Sequence, residues 1–292
     1  MRFATLDLDG QAVPVVVSPD GTGYATASDW LGTAFDGGMP ELIALCLQPT
    51  AQPAPTAWQP LGERRLRAPL VPRRNVFCVG KNYHEHAAEF ARSGFDTSAA
   101  KGETAPAAPV VFTKAPSTVV GPGDEVLAFG ELTRQLDYEA ELAVVIGKPG
   151  RGIRAEDAWN HVWGYTIVND VTARDLQQKH RQWFIGKSLD TFCPMGPWIV
   201  TADELDATDL SVKCWINDEL RQNANTRDLI FDIPTIIATL SAGMTLQPGD
   251  VIATGTPAGV GIGFTPPRFL VPGDRMKIEI GGIGTLENRI AG

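Results

Sequence analysis

Basic clusters and long apolar runs are both missing from this sequence. Its 292 residues include 25 Lys and Arg against 34 Asp and Glu, giving a formal net charge of −9. With no basic run, the sequence lacks the electrostatic footprint of a protein that binds nucleic acid or an anionic membrane. No stretch approaches the ~20 apolar residues of a membrane span, and the N-terminus has no apolar block of signal-peptide type. We therefore expect a soluble, cytoplasmic protein.

Cysteine and histidine are scarce, with four residues of each. The cysteines are far apart, form no CxxC pair and stand in apolar contexts, so we expect reduced core thiols. No serine or cysteine stands in a GxSxG setting. Among the histidines, His86 is the best general-base candidate, because Glu89 stands three residues later and shares its face on a helix. A surface helix with ordinary contacts is the alternative.

The chain divides into a short N-terminal part and a longer β-rich part. Short apolar runs between Gly- and Asp-containing turns predict a small β-hairpin unit, followed by a helical stretch and a Pro- and Ala-rich linker. We place the boundary near residue 68, with an N-terminal domain and linker at 1–68 and a catalytic domain at 69–292. Beyond this boundary, strand patterns predict a β-rich α+β fold. Helical patterns are few and lie at about 84–93, 155–160, 172–180 and 233–241.

Three carboxylates beside apolar runs predict a cation site. Glu139 and Glu141 stand two residues apart at the start of a buried strand, so both point to one face and repel each other unless a cation neutralises them. Asp170 ends the apolar run GYTIVN. A solvated strand edge for the Glu pair and a helix N-cap role for Asp170 are the alternatives. Three oxygen donors without a nearby His or Cys favour Mg²⁺ first, then Mn²⁺ or Ca²⁺, over zinc.

Three further features accompany this predicted site. Lys187 lies between apolar residues, and we favour a lysine that reaches into the site over one that extends from a strand to solvent. The turn at 254–261, which includes Gly255 and Thr256, offers backbone N–H groups and hydroxyls to a carboxylate. Residues 92–108 are small, polar and interrupted by Pro, a composition suited to a mobile lid over a substrate.

Seven segments between about residue 73 and residue 292 resemble, in order, the fumarylacetoacetate hydrolase family. They are VGKNYHEHAAE, VVFTKAPSTVVGPGD, DYEAELAVVIG, GYTIVNDVTARDLQ, GKSLDTFCPMGPWIV, LQPGDVIATGTPAGVG and VPGDRMKIEIGGIGTLENR. The resemblance implies layered, rolled β-sheets, a homodimer and a bound Mg²⁺ or Mn²⁺. It also implies roles for single residues: metal ligation by Glu139, Glu141 and Asp170, a lid dyad of His86 and Glu89, an active-site lysine at Lys187, and substrate contact or pocket organisation by Arg174, Gln177 and Thr256.

The resemblance also narrows the expected chemistry. Fumarylacetoacetate hydrolases proper have a further aspartate on the strand before the histidine, whereas the corresponding segment Phe77–Gly80 contains no acid. The chain therefore resembles the shorter three-carboxylate branch, which implies cleavage of an acylpyruvate-type 2,4-dioxo acid to pyruvate and a carboxylic acid. In this hypothesis His86, held by Glu89, activates a water, and the metal and Lys187 stabilise the pyruvate enolate that leaves.

Several alternatives stay open at this point. The same electron sink serves isomerisation or decarboxylation of hydroxymuconate- or oxaloacetate-type 2-oxo acids, and family members also act on 2-keto-3-deoxy sugar acids. A zinc hydrolase would use His84, His86 and Glu89, although the two histidines diverge on a helix. A non-catalytic ligand-binding protein on the same fold is the alternative from a different functional class.

Overall fold

The computed structural model describes residues 1–47, 55, 57–94 and 106–292, which include every predicted site residue. Most of the predicted lid, residues 95–105, lies outside this described part. The α-helices within it are α1 (Ala27–Leu31), α2 (Met39–Cys46), α3 (His84–Ser93), α4 (Arg174–His180), α5 (Phe184–Lys187) and α6 (Ile233–Ser241). Short 3-10 helices lie at Pro116–Thr118, Ala155–His161, Ala202–Glu204, Thr226–Asp228 and Gly261–Gly263.

Strands outnumber helices in the described residues, as the β-rich pattern predicted. They are β1 (Arg2–Leu8), β2 (Gln11–Val17), β3 (Gly23–Thr26), β4 (Gln59–Pro60), β5 (Leu66–Arg67), β6 (Val76–Gly80), β7 (Val110–Lys114), β8 (Val119–Val120), β9 (Glu125–Val126), β10 (Leu136–Asp137), β11 (Ala140–Ile146), β12 (Val162–Asn169), β13 (Thr172–Ala173), β14 (Cys193–Thr201), β15 (Ser211–Ile216), β16 (Glu219–Asn225), β17 (Val251–Ala253), β18 (Arg275–Ile280) and β19 (Gly284–Ile290). The α+β fold class predicted from the sequence is confirmed.

A large mixed sheet and a smaller one form the framework. The large sheet has the order β4-β3-β2-β1-β14-β12-β11-β17-β6-β7, with β5 pairing with β1 and β8 with β14. The smaller sheet has the order β16-β15-β18-β19-β9. Strand β16 was not predicted, because its sequence ELRQNAN is polar and gives no apolar alternation. Its pairing with β15 supplies the stability that its own pattern lacks.

The N-terminal strands extend the large sheet. Strands β1 and β2 form the predicted hairpin, joined by Asp9 and Gly10 in the positive-φ conformation that suits a two-residue turn. Arg2 pairs with Val200, so β1 adds directly to β14. The hairpin therefore belongs to the same sheet as the predicted catalytic part, and the domain boundary near residue 68 stays a prediction.

Both faces of the central strand β11 are buried. Leu142 and Val144 belong to the core that also contains Val212 and Ile278 of the small sheet, whereas Val145 belongs to the core beneath helices α1 and α2. A strand covered on both sides reads as a continuous apolar run, which explains the sequence ELAVVI. Charged groups at the start of this strand are consequently removed from water.

Other expectations are confirmed in part. Cys78, Cys193 and Cys214 are buried free thiols, but Cys46 is only partly buried and was wrongly assigned to the core. The helical pattern at 155–160 is a 3-10 helix, and the pattern at 172–180 begins as strand β13 before α4 starts. Within the described residues, none of the helices has the length and apolar character needed to span a membrane.

Candidate active site

Glu139, Glu141 and Asp170 meet where the adjacent strands β11 and β12 begin and end. The register pairs Ala140 with Asn169, which brings Asp170 beside Glu139. Two hydrogen bonds hold this junction: Asp170 N donates to Glu139 O at 2.8 Å, and Glu139 N donates to Asn169 Oδ1 at 3.0 Å. One oxygen from each carboxylate lies within 4.8 Å of the other two. The three side chains, here called the carboxylate cluster, are at most 4% exposed.

Two buried lysines contact the carboxylate cluster. Lys187 Nζ lies 2.8 Å from Glu139 Oε2 and 2.6 Å from Asp170 Oδ2, so it bridges two of the carboxylates. Lys114 Nζ donates to the other Asp170 oxygen at 2.7 Å and to Val171 O at 3.0 Å. Burial favours the neutral form of Lys187, but Asp170 and Glu139 outweigh burial and raise its pKa. Lys187 is therefore a cation at neutral pH, and Asp170 is fixed from both sides.

Arg174 connects the carboxylate cluster to a fourth acid. Its Nε donates to Asp137 Oδ2 at 2.9 Å, and its second terminal nitrogen lies 2.7 Å from Glu139 Oε1. Gln177 Oε1 accepts from the remaining Arg174 nitrogen at 3.2 Å. Asp137 also accepts the backbone N–H groups of Gly261 and Ile262 at 2.6 and 3.1 Å. Asp137 thus holds Arg174 and the segment at 261–262 together.

The two glutamates of the cluster have opposite electrostatic surroundings. Burial opposes the ionisation of Glu139, yet Lys187 and Arg174 outweigh it and lower its pKa to about 2. Burial raises the pKa of Glu141 well above its ordinary value, and the nearby Asp170 and Glu139 raise it further. Glu141 accepts the Gly255 N–H at 2.7 Å, where Gly255 adopts a φ of +110° that suits glycine. Among the described residues it has no ion-pair partner.

The residues present fit a divalent cation. With Glu141 ionised, the carboxylates of Asp137, Glu139, Glu141 and Asp170 carry one more charge than the three cations that contact them, Lys114, Lys187 and Arg174. The excess charge falls on Glu141, which is 1% exposed. A buried carboxylate without a cationic partner is costly, and a bound cation removes that cost. Three buried oxygen donors of this kind are the ligand chemistry of a hard divalent cation.

The dyad of His86 and Glu89 lies on helix α3. His86 Nδ1 and Glu89 Oε2 are 3.1 Å apart, and both side chains are largely buried. The other Glu89 oxygen accepts the Gly259 N–H at 3.0 Å. The Glu89 carboxylate approaches Gly263 so closely that a Cβ at residue 263 would lie 1.7 Å from Glu89 Oε1 and displace it. The glycine-rich segment thus receives the Glu89 carboxylate, and Glu89 in turn orients the imidazole.

His86 of the dyad and the cluster residues Glu139 and Glu141 line one small cleft. The open space inside it is about 10 Å³, room for about one water molecule, so lining side chains must move to admit a substrate. The lining includes seven of the ten predicted site residues: His86, Glu139, Glu141, Arg174, Gln177, Lys187 and Thr256. It also includes an aromatic wall and a lysine that were not predicted: Phe90, Phe112, Trp183 and Lys81.

Gly255 and Thr256, which were predicted to contact the substrate, make hydrogen bonds within the protein instead. The Gly255 N–H is donated to Glu141, so it stabilises a cluster carboxylate. The Thr256 hydroxyl accepts from Gln222 Nε2 at 2.8 Å, although Thr256 still lines the cleft. The alternative role of Asp170 as a helix N-cap is wrong, because α4 begins after Ala173.

Sequence reasoning missed Asp137, Lys114 and Lys81. Lys114 follows the run VVF in β7, which is the same signal, a lysine beside apolar residues, that led to Lys187. Asp137 stands two residues before Glu139, but its partners lie far along the chain and leave no local pattern. The zinc alternative fails in the described residues, where the carboxylate cluster is the one group of three or more potential metal ligands.

Comparison with known proteins assigns the family. Residues 75–291 match the model of the fumarylacetoacetate (FAA) hydrolase C-terminal domain. The chain belongs to the fumarylacetoacetate hydrolase family. The family resemblance predicted from the seven segments is thereby confirmed, and with it an enzyme family whose members typically depend on a divalent metal.

Three relatives illustrate the range of this family. Oxaloacetate tautomerase YisK from Bacillus subtilis is 55% identical over 232 residues, covering 79% of this chain and 74% of the relative. The mitochondrial oxaloacetate tautomerase fahd2 from Xenopus laevis is 42% identical, with coverage of 77% and 68%. The solved fumarylacetoacetate hydrolase from Exiguobacterium antarcticum is 43% identical, with a TM-score of 0.86 over 100% of this chain and 99% of that chain.

Proposed function

We propose that this enzyme interconverts the keto and enol forms of a small 2-oxo dicarboxylic acid, with oxaloacetate as the type substrate. The observation that carries the proposal is the cleft that His86 shares with Glu139 and Glu141 of the carboxylate cluster, with Glu89 bound to the imidazole. Tautomerisation moves one proton between C3 and the oxygen on C2, so it needs a proton carrier beside a positive field. The similarity to two oxaloacetate tautomerases supports this choice among the reactions of the family.

The metal centre of this proposal consists of Glu139, Glu141 and Asp170. We propose Mg²⁺ or Mn²⁺ as the resident ion, with Ca²⁺ as a weaker third choice. When bound, such an ion supplies Lewis-acid polarisation of the 2-oxo group and orients the substrate. Lys187 favours the ionised form of Glu139, because its ammonium contacts that carboxylate. The same ammonium contacts Asp170 and fixes its position.

His86 carries the proton in this proposal. Glu89 holds Nδ1, which leaves Nε2 as the ring nitrogen that exchanges a proton with the substrate. The imidazole accepts the proton from C3 of the keto form and returns it to the oxygen on C2, so no atom is gained or lost. Glu89 stabilises the imidazolium that exists between the two transfers. Arg174 and Gln177 line the same cleft and orient the substrate through their fixed positions.

The direct test follows the ultraviolet absorbance of the oxaloacetate enol as it ketonises in a weakly buffered solution. We expect acceleration by the Mg²⁺- or Mn²⁺-loaded enzyme, loss of that acceleration with EDTA, and its return when metal is added back. Pyruvate release is measured in the same samples to separate tautomerisation from decarboxylation. Acceleration that persists after metal removal would contradict the proposed centre, and pyruvate release at the rate of enol loss would favour a decarboxylase.

Hydrolysis of an acylpyruvate is the second candidate. It is favoured by the same His86–Glu89 pair, which is suited to deprotonating a water as well as a carbon acid. Acetylpyruvate and fumarylpyruvate in the pyruvate assay test it, and metal-dependent release from either without tautomerase activity would replace the first candidate. The homodimer, the cytoplasmic location and the absence of nucleic-acid and membrane partners stay predictions.

A further inference from the structure

An aromatic wall in the cleft has a lysine at each end. Phe90 and Phe112 both meet the Trp183 ring edge-on, with centroid distances of 6.0 and 5.2 Å. Lys187 Nζ lies 4.8 Å from the Phe112 ring centroid, at the end of the wall near the carboxylate cluster. Lys81 Nζ lies 5.5 Å from the Phe90 ring centroid, at the end formed by helix α3. The cleft therefore presents two ammonium groups at separate positions along one apolar surface.

Lys81 is held over the cleft by its backbone. It has a φ of +55°, which is unfavourable for a residue with a Cβ and is kept only where the surroundings impose it. The following residue imposes it here, because Asn82 Nδ2 donates to Thr254 O at 2.7 Å and Asn82 Oδ1 accepts from Phe231 N at 2.8 Å. Only 7% of Lys81 is exposed. A buried lysine at a fixed, strained position is typical of a functional site.

We propose that Lys81 binds the distal carboxylate of the substrate and thereby selects dicarboxylic over monocarboxylic 2-oxo acids. This inference rests on the proposed function, in which the 2-oxo end of the substrate lies at the carboxylate cluster. The distal carboxylate then extends along the aromatic wall towards Phe90 and Lys81. Because Lys81, Phe90 and Trp183 are each at most 9% exposed, an ammonium–carboxylate contact there is stronger than the same contact at an exposed site.

The test compares oxaloacetate with its 4-methyl ester, which keeps the carbon skeleton and lacks the distal charge. Lys81→Met removes the ammonium and keeps a similar unbranched chain, and both residues have a Cβ at this strained position. We expect Lys81→Met to lower kcat/KM for oxaloacetate by about 10- to 100-fold, mainly through KM, because a charge-assisted hydrogen bond is lost. The methyl ester should lose far less, so the preference between the two substrates collapses.

Two control variants accompany the test. Lys81→Arg keeps the positive charge and should retain most of the preference for oxaloacetate. Lys148→Met removes a lysine that is exposed and away from the cleft lining, and it should leave both substrates unaffected. Equal losses of kcat/KM for oxaloacetate and for the ester in Lys81→Met would overturn the proposal, because a merely structural role affects both substrates alike.

Binding measurements keep this inference separable from the proposed function. Calorimetry with Mn²⁺-loaded protein gives Kd for oxaloacetate and for the ester in wild type and Lys81→Met. If wild type binds oxaloacetate without accelerating its tautomerisation, the proposed function fails, and the Kd ratio still tests Lys81. A Kd ratio that Lys81→Met leaves unchanged would overturn the role of Lys81 even in an active tautomerase. Failure of wild type to bind oxaloacetate at all would overturn both.

Discussion

Glu139 and Glu141 of the carboxylate cluster line the same cleft as His86 of the dyad, but the fold holds the cluster and the dyad in different ways. Glu141 and its neighbours stand at the junction of β11 and β12, in the middle of the large sheet. Asp170 is fully buried, and a different lysine contacts each of its oxygens. The positions of these oxygens are thus set by strand register and by several ion pairs. Such a site is preorganised for a cation.

The dyad depends on fewer contacts. Helix α3 supplies both residues, and it packs on the site through the Gly259 N–H to Glu89 and through Phe90, which contacts Trp183, Val260 and Ile262. None of these contacts involves a carboxylate of the cluster. The comparison therefore leads us to expect that cation binding and proton transfer are separable, so that variants affect one without the other.

Loss of the cluster charges should have the largest effect. In the double variant Glu139→Gln/Glu141→Gln, two of three anionic ligands become neutral amides, so we expect loss of Mn²⁺ binding and a fall in kcat/KM of about 10⁴-fold or more. Metal content after dialysis and the enol absorbance assay measure the two effects. Exposed Glu131 provides the control Glu131→Gln. Retention of stoichiometric metal by the double variant would contradict the assignment of these ligands.

Removal of the His86 imidazole should have the second-largest effect on activity and should leave metal binding unchanged. We expect His86→Asn to lower kcat by about 10²- to 10³-fold, because a positioned general base contributes roughly that much. Mn²⁺ affinity, measured by calorimetry, should equal that of wild type, since His86 is outside the cluster. Glu89→Gln should have a smaller effect on kcat, because the imidazole remains. A parallel loss of metal affinity in His86→Asn would show that the two regions are coupled.

The same contrast explains what the sequence could predict. The carboxylates of the cluster were found because short-range patterns report them: a two-residue spacing on an apolar strand for Glu139 and Glu141, and an acid at the end of another strand for Asp170. His86 and Glu89 were found from an (i, i+3) spacing on a helix that the structure confirms as α3. The strands themselves were predicted where an apolar run marked a buried position.

Contacts between segments that are far apart in the sequence produce no local sequence pattern, so they were not predicted. Asp137 bonds to Arg174, 37 residues later, and to Gly261, 124 residues later. The Gly255 N–H that supports Glu141 comes from 114 residues away. These partners meet only because β17 pairs with β11 and the following turn returns over its end. Local patterns therefore predicted the cluster carboxylates, the dyad and Lys187, but not the long-range hydrogen bonds that position them.

Asp137→Asn tests this long-range support. The amide can no longer accept both from Arg174 and from the backbone N–H groups at 261 and 262, so a buried guanidinium loses part of its compensation. We expect a loss of about 2–4 kcal/mol in the free energy of unfolding, measured by urea denaturation, and a higher KM for oxaloacetate. Exposed Asp190 offers the matched control Asp190→Asn. Unchanged stability would show that Asp137 does not position Arg174.

The smallest expected effect is a gain in the stability of the metal-free protein, in contrast to the losses expected for the other variants. Burial raises the pKa of Glu141 well above its ordinary value of 4.5, so near neutral pH the unfolded chain ionises this carboxyl more readily and the metal-free fold is destabilised. Glu141→Gln removes that charge and can still accept the Gly255 N–H, so we expect metal-free stability to rise by about 1 kcal/mol, or a few degrees in Tm. The gain should shrink as the pH falls towards 4.5, where the carboxyl becomes protonated in the unfolded chain as well as in the folded protein. Added Mn²⁺ should stabilise wild type and not the variant. A lower metal-free Tm in Glu141→Gln would mean that Glu141 is neutralised without a cation, and the case for a metal centre would lose its electrostatic basis.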